Sequence, residues 1–415
     1  MDAALLNLLA VLRPIFFIDS GSQLFGLKIF DVAAIGLSAL LMFALSITMT
    51  LRKSVRFSPI DLFLLAFAFW CVAAYVIYPD KSILKELAKL ILPPLTYVAA
   101  KNILVDRTAY QKMLTFLIIG FSVPVLLSGA LIVMGQGVEY ISYWTKIPRY
   151  RGVYSGAHNM AHNMALFLML LIVYRTLLKQ SVDRPQVSQA WIVFCAMLGS
   201  VALYCLYSGR VRTTIIGLLV FGAVYYYYVN RRILFAGAVL LTIVVPVLMP
   251  SVVIDLFYDV AKVVSGEWEV GKLGSNRINI WGQNIALYAE LPLDRQIAGV
   301  GIGNKLDIVG SVDEEFDVDN FRNSHNDYLE VLIQTGLVGF LLFVPVQVLL
   351  YQRVRRLVGH DRQVFLALFW AVFVMNFVSN SYVTRFGLAQ MFYMVIAYVE
   401  IPERRRARDG TTGKE

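Results

Sequence analysis

The residues best suited to chemistry in this chain are one histidine and a scatter of arginines. The histidine lies in Arg322-Asn323-Ser324-His325-Asn326-Asp327-Tyr328-Leu329-Glu330, followed by Gln334-Thr335-Gly336. A neutral imidazole can take a proton from a hydroxyl near pH 7, and Asp327 or Glu330 could orient its ring. The plainer alternative is a histidine that only bonds its own loop, beside a helix capped by Ser324 or Asn323. The arginines are Arg149, Arg151, Arg210, Arg212, Arg277 and Arg322, two of them in the short turn Tyr207-Ser208-Gly209-Arg210-Val211-Arg212. A guanidinium is a planar donor fork that matches phosphate oxygens. Several converging would suit an anionic lipid head, above all a diphosphate. They could equally pair with the acidic run Asp313, Glu314, Glu315, Asp317 and Asp319, or with ordinary phospholipid.

Other pairs carry weaker signals. Lys85 and Lys89 flank Glu86 at helical spacing, either as ion-pair partners or as additional phosphate ligands. His158-Asn159 and His162-Asn163 put two histidines on one helix face, the spacing of a metal pair, but no third ligand is placed, so no metal is assigned. Hydrogen bonding by Asn159 or Asn163 across helices is the simpler reading. Asp317-Val318-Asp319 resembles a metal-binding carboxylate pair, yet a solvated acidic loop explains it as well. Tyr225 to Tyr228 fit an interfacial aromatic belt.

The elements that must position these residues are membrane helices. Of 415 residues 58% are hydrophobic and only 16% charged, with mean hydropathy +0.66, where a soluble domain carries about a quarter charged residues. Apolar runs long enough to cross a bilayer recur at 3–18, 29–50, 59–78, 83–104, 112–134, 159–178, 190–207, 211–229, 232–250, 327–352, 362–380 and 383–401. A backbone in lipid must satisfy itself, so these are expected as about twelve helices of an all-α polytopic protein, with no barrel pattern. The first run lacks a basic start and a cleavage site and reads as a short membrane segment, interrupted by Arg13-Pro14. Cys71, Cys195 and Cys205 lie in apolar runs and suggest no disulfide framework.

Lysines and arginines orient the chain. With the N-terminus inside, Arg52, Lys53, Arg56, Lys101, Arg107, Lys112, Arg175, Lys179, Arg184, Arg231, Arg232, Arg353, Arg355, Arg356 and Arg362 all fall on the cytoplasmic side. This accounts for the net charge of +9 without nucleic acid. The expected organisation is a membrane unit over 1–250, a helical periplasmic cap over 251–326, further membrane helices over 327–402 and a basic cytoplasmic tail over 403–415. Inside the cap, 277–290 reads as a helix with Ile278, Ile280, Trp281, Ile285 and Leu287 as its apolar residues. No internal repeat of the transporter kind is visible.

An ordered set of short motifs links these residues. It runs from Arg151-Gly152-Val153-Tyr154 and Asn159, through Ser208-Gly209-Arg210, Asn276-Arg277-Ile278 with Trp281, and Gly299-Val300-Gly301-Ile302-Gly303-Asn304, to His325, Asn326, Leu329, Gly336 and Gly339. The set resembles the O-antigen ligase and O-antigen polymerase superfamily of bacterial envelope glycosyltransferases, over roughly 149–340. The resemblance implies a C-type, metal-independent, inverting glycosyltransferase of the bacterial inner membrane that needs no cofactor. Its donor would be undecaprenyl-diphosphate-linked O-antigen and its acceptor a sugar hydroxyl of lipid A–core, within membrane lipid. It assigns the essential histidine to His325 and the essential arginines to Arg210 and Arg277. Arg212, Arg151, Arg149, Arg322, Asn159, Lys85, Lys89 and Asn326 are expected around the substrates. The alternatives are an O-antigen polymerase, a protein O-oligosaccharyltransferase and a non-enzymatic lipid or polysaccharide transporter.

Overall fold

The computed structural model describes residues 2–18, 23–24, 27–52, 57–77, 84–141, 148–179, 188–248, 257–258, 260–267, 269, 273–302, 324–381, 383 and 385–401. The chain forms helices α1 (Asp2–Ile15), α2 (Ile29–Arg52), α3 (Pro59–Ile77), α4 (Leu84–Ile103), α5 (Arg107–Val133), α6 (Ala157–Lys179), α7 (Gln189–Gly209), α8 (Arg212–Val229) and α9 (Arg231–Leu248). After these come α10 (Leu273–Glu290), α11 (Leu293–Ala298), α12 (Asp327–Arg356), α13 (Gly359–Val378) and α14 (Phe386–Ile396), the last extended by a 3-10 turn over Ala397–Glu400. Small hairpins, β1 (Gln23–Leu24) with β2 (Leu27–Lys28) and β3 (Val138–Ile141) with β4 (Pro148–Tyr150), are the strands among the described residues.

Each of the twelve expected segments is present as a helix. Among the described residues seven, α3, α5, α6, α7, α8, α12 and α13, are long and apolar enough to cross a membrane. The protein is an all-α polytopic membrane protein. Helix α6 lies at its centre, packed against α5, α7, α8 and α13. Its apolar residues run all round the helix, as a fully enclosed helix requires. Its histidines and asparagines, His158, Asn159, His162 and Asn163, are gathered in its first two turns.

Helix α12 departs from a simple span. It breaks at Gly336, where the backbone takes φ 65° and ψ −172°, a region open essentially to glycine. The break frees carbonyls, and two donors meet them: Trp70 Nε1 on Thr335 O at 2.8 Å and Val300 N on Ile333 O at 3.0 Å. The chain leaving α11 fills the notch with Gly299, and a Cβ on Gly336 would overlap Gly299 N and Ile297 O. Backbone therefore lies against backbone, which locks the 299–302 segment to the first half of α12. Ile302 completes the join in an apolar cluster with Phe67, Leu87, Leu90, Val331 and Phe343.

The other end of the bundle is clasped by charge. Arg107 forks onto Asp361 at 3.2 and 3.3 Å, Tyr398 donates to the same carboxylate at 2.5 Å, and Arg353 faces Glu400 at 3.7 Å. Lys101 is ion-paired with Asp61, both fully buried, with Ser58 beside them. Arg231 and Arg362 lie over the rings of Tyr227 and Tyr228. Asp361 and Val378 stand at opposite ends of α13, 17 residues or about 25 Å apart by helical rise. Lys101, Arg107, Arg231, Arg353 and Arg362, expected on the cytoplasmic side, thus collect at one end, and the candidate site at the other.

Candidate active site

The site is assembled from six pieces of chain: the end of β4, the first turns of α6, the α7–α8 corner, α10, the segment 324–330 and the 378–385 turn between α13 and α14. The first piece to fix is His325. Its backbone sits at φ 49°. The residue before it is held by Trp281 of α10, whose Nε1 donates to Ser324 O at 2.8 Å, while the indole packs on Phe377 at 5.4 Å. The residue after it, Asn326, is the actual cap of α12. Its backbone is extended and its Oδ1 accepts from Tyr328 N and Leu329 N at 3.0 and 3.1 Å. Ser324 does not cap: its hydroxyl bridges Asn326 O at 2.9 Å and Glu330 Oε2 at 3.3 Å. Asn323 lies outside the described residues.

The carboxylates expected near the ring have defined tasks. Asp327 Oδ2 accepts from Ser381 N at 2.8 Å and Val383 N at 3.1 Å, and Glu330 Oε1 accepts from Asn380 Nδ2 at 3.3 Å. Both therefore tie the start of α12 to the 378–385 turn. That turn also holds α10, because Arg277 Nη1 donates to Val378 O.

Arg210 ends α7 in a left-handed conformation, φ 50° and ψ 38°, with its guanidinium 5.6 Å from the Tyr207 ring. The conformation turns the chain at once into α8, whose first residue is Arg212. Arg149 of β4 donates from Nε to Gly209 O at 2.9 Å, which fixes this corner against the hairpin. Arg385 donates from Nε to Asn380 O at 2.5 Å and from Nη1 to Asn159 Oδ1.

Three non-glycine residues among those described have positive φ: Arg210, Asn276 and His325, at 50°, 66° and 49°. Two are the histidine and arginine singled out from sequence, and the third precedes Arg277. A left-handed conformation costs an L-residue about 1–2 kcal/mol, and Asn tolerates it better than Arg. Such strain persists where surrounding contacts over-determine it, often at functional sites.

Of the expected site residues, the structure brings Arg149, Asn159, Arg210, Arg212, Arg277, His325 and Asn326 to this end of the bundle. Arg151 belongs to the same corner: its N–H donates to Gly137 O at 2.8 Å and its carbonyl starts the turn into α6. Lys89 is ion-paired with Glu86, which selects the pairing of the two readings offered for it. The Lys85 side chain, Arg322 and the acidic run 313–319 lie outside the described residues. Both ring nitrogens of His162 are engaged by protein: Nδ1 lies 2.6 Å from His158 O and Nε2 2.8 Å from Ser381 Oγ. Arg385 and Ser381 carry no sequence signal beyond an arginine in a short turn, and sequence reasoning passed over both.

A family model described as O-antigen ligase matches residues 194–344. Over this stretch the chain is similar to the O-antigen ligase family. The stretch begins inside α7, takes in Arg210, Arg212, Arg277 and His325, and ends beyond the Gly336 break. The O-antigen ligase family covers ligases and related polymerases, which are glycosyltransferase-like enzymes. No curated protein matches the chain. Asn159, Asn380 and Arg385, which complete the described network, lie outside the O-antigen ligase stretch.

Proposed function

We propose that the protein is an O-antigen ligase. It would transfer glycan from undecaprenyl diphosphate to a sugar hydroxyl of lipid A–core, by inversion and without a metal. The observation that carries this reading is that Arg210 and His325 share a strained, left-handed backbone within the family-matched stretch. The gathering of Arg107, Arg231, Arg353 and Arg362 at the opposite end supports a periplasmic site and cytoplasmic termini in the inner membrane.

The chemistry is one displacement. The acceptor oxygen attacks the anomeric carbon while the bond from that carbon to the diphosphate oxygen breaks, and its electron pair leaves with the lipid diphosphate. His325 takes the acceptor's proton. Arg210, helped by Arg277, Arg212, Arg149 and Arg151, holds the diphosphate and stabilises the charge growing on it. The transition state has oxocarbenium character, so moderate activation of the hydroxyl suffices. Asn326 and Trp281 fix the backbone on either side of His325, which keeps the imidazole oriented without a rearrangement at the moment of reaction.

The test uses purified protein in nanodiscs with undecaprenyl-diphosphate O-antigen, rough lipopolysaccharide and EDTA, and no nucleotide. A glycan ladder on lipopolysaccharide is expected. Longer lipid-linked glycan with no ladder on lipopolysaccharide would make the protein a polymerase. No transfer to either acceptor, with donor bound, would leave a carrier of lipid-linked glycan.

A further inference from the structure

We propose that Arg385 is a further anion-binding residue of this site and that His162 positions it through Ser381. The proposal rests on the reading of the site as one for a lipid diphosphate.

The 378–385 turn is clamped from two sides. On one side Asp327, the first residue of α12, accepts two of its backbone N–H groups, those of Ser381 and Val383. On the other side stands His162, buried in α6. A carbonyl only accepts, so the 2.6 Å contact to His158 O puts the His162 proton on Nδ1. In that neutral tautomer Nε2 offers a lone pair, and Ser381 Oγ lies 2.8 Å from it and 3.0 Å from Met375 O, two acceptors that share its one proton. Ser381 is itself fully buried, so the bond is a fixed strut between α6 and the turn. The pair of histidines that resembled a metal site is in this way a device for holding a loop.

What the clamp holds is two guanidiniums. Arg277 is anchored on the turn at Val378 O, and Arg385 at Asn380 O. Arg385 then reaches across to Asn159 in the first turn of α6. Cations gathered by a rigid turn at the start of a helix form a bed for an anion carrying several oxygens. Arg277 belongs to the family-matched stretch and Arg385 does not, yet one turn presents both. The ligand chemistry that fits is a diphosphate ester, with Arg385 on one phosphoryl group and its fork set by Asn159.

The experiment measures binding as well as transfer, on the full chain in nanodiscs. Farnesyl diphosphate serves as the binding probe, read by equilibrium dialysis, beside KM for the lipid-linked donor and the thermal midpoint. Loss of one charge-assisted contact is expected to weaken binding about 10–100-fold. R385Q should therefore raise both the farnesyl diphosphate Kd and the donor KM by at least about tenfold, with the acceptor KM unchanged. R385K, which keeps the charge and loses the fork, should recover part of this, and S381A should move donor KM in the same direction by a smaller factor. A wild-type Kd and donor KM in R385Q would overturn the proposal, as would a fall in thermal midpoint with KM unchanged, the mark of a purely structural staple. Should R385Q fail to fold, R385K decides alone: a donor KM equal to wild type overturns the proposal. If the wild type neither binds farnesyl diphosphate nor transfers glycan, the proposed function itself has failed. A wild type that binds and transfers beside an indistinguishable R385Q would sink only the role of Arg385.

Discussion

Replacing Arg210 by glycine should separate what its backbone does from what its side chain does. The residue sits at φ 50° and ψ 38°, where an L-residue bears about 1–2 kcal/mol of strain that glycine does not. Against this, glycine raises the entropy of the unfolded chain, at about 0.5–1 kcal/mol. The guanidinium also lies 5.6 Å from the Tyr207 ring, an interaction worth about 0.5–1 kcal/mol at an exposed site. These contributions nearly cancel, so Arg210→Gly should remain within about 1 kcal/mol of wild type. Transfer should nevertheless fall about 100–1000-fold, the usual result of removing one electrostatic donor from a transition state. Thermal unfolding of the detergent-solubilised protein and single-turnover transfer with saturating acceptor give the two numbers. Arg210→Ala should lose as much activity, and be the less stable of the two variants because the strain stays. A large drop in midpoint for the glycine variant would show that the side chain is structural, and near-normal transfer would remove Arg210 from the chemistry.

Two further perturbations test the frame that carries the site. Gly336→Ala places a side chain at φ 65° and ψ −172° against Gly299 N and Ile297 O. The backbone strain alone is worth about 1–3 kcal/mol, so a clearly lowered thermal midpoint is expected, with transfer lost in the fraction that folds. An unchanged midpoint would mean that α12 is not broken there. At the far end of the bundle, Lys101→Met strands the buried Asp61 carboxylate, a loss of about 3–5 kcal/mol. The double variant with Asp61→Asn should recover most of that stability. Both proteins should retain donor KM, since the pair lies near the opposite helix ends from the site; a shifted KM would show coupling along the bundle.

Much of this architecture is legible in the sequence because lipid imposes it. Apolar runs of sufficient length have to be helices: each expected segment is helical, and seven of those helices, among the described residues, are long and apolar enough to cross a membrane. The Gly336 break is not legible, since hydropathy runs through it without a change and its partner Gly299 lies on another element. Arg210 stands out as an arginine in a short turn between apolar runs, and Arg277 and His325 as members of the ordered motifs in and at the end of the long 251–326 segment. Arg385 stands in a short turn too, but its meaning depends on Asn159 and Asn380 meeting it, a pairing across 226 residues that no local spacing encodes. The helix start shows the same limit at short range. Ser324, Asn323 and Asn326 are all chemically able to cap α12, and backbone geometry selects Asn326 while Ser324 turns inward to Glu330. Trp281 reads as an apolar residue of the 277–290 helix, yet its indole N–H is what holds the carbonyl before His325.

The most direct test of the central claim is a single-turnover reaction that follows both products. Radiolabelled undecaprenyl-diphosphate O-antigen is mixed with an excess of enzyme and rough lipopolysaccharide in EDTA, and free undecaprenyl diphosphate and glycosylated lipopolysaccharide are counted together for wild type and His325→Ala. The account predicts equal release and transfer by the wild type. In the variant it predicts both reduced about 100–10,000-fold, with donor binding intact. Undiminished transfer by His325→Ala would contradict the assignment of His325 as the base, and release without transfer by the wild type would contradict glycosyl transfer to lipopolysaccharide itself.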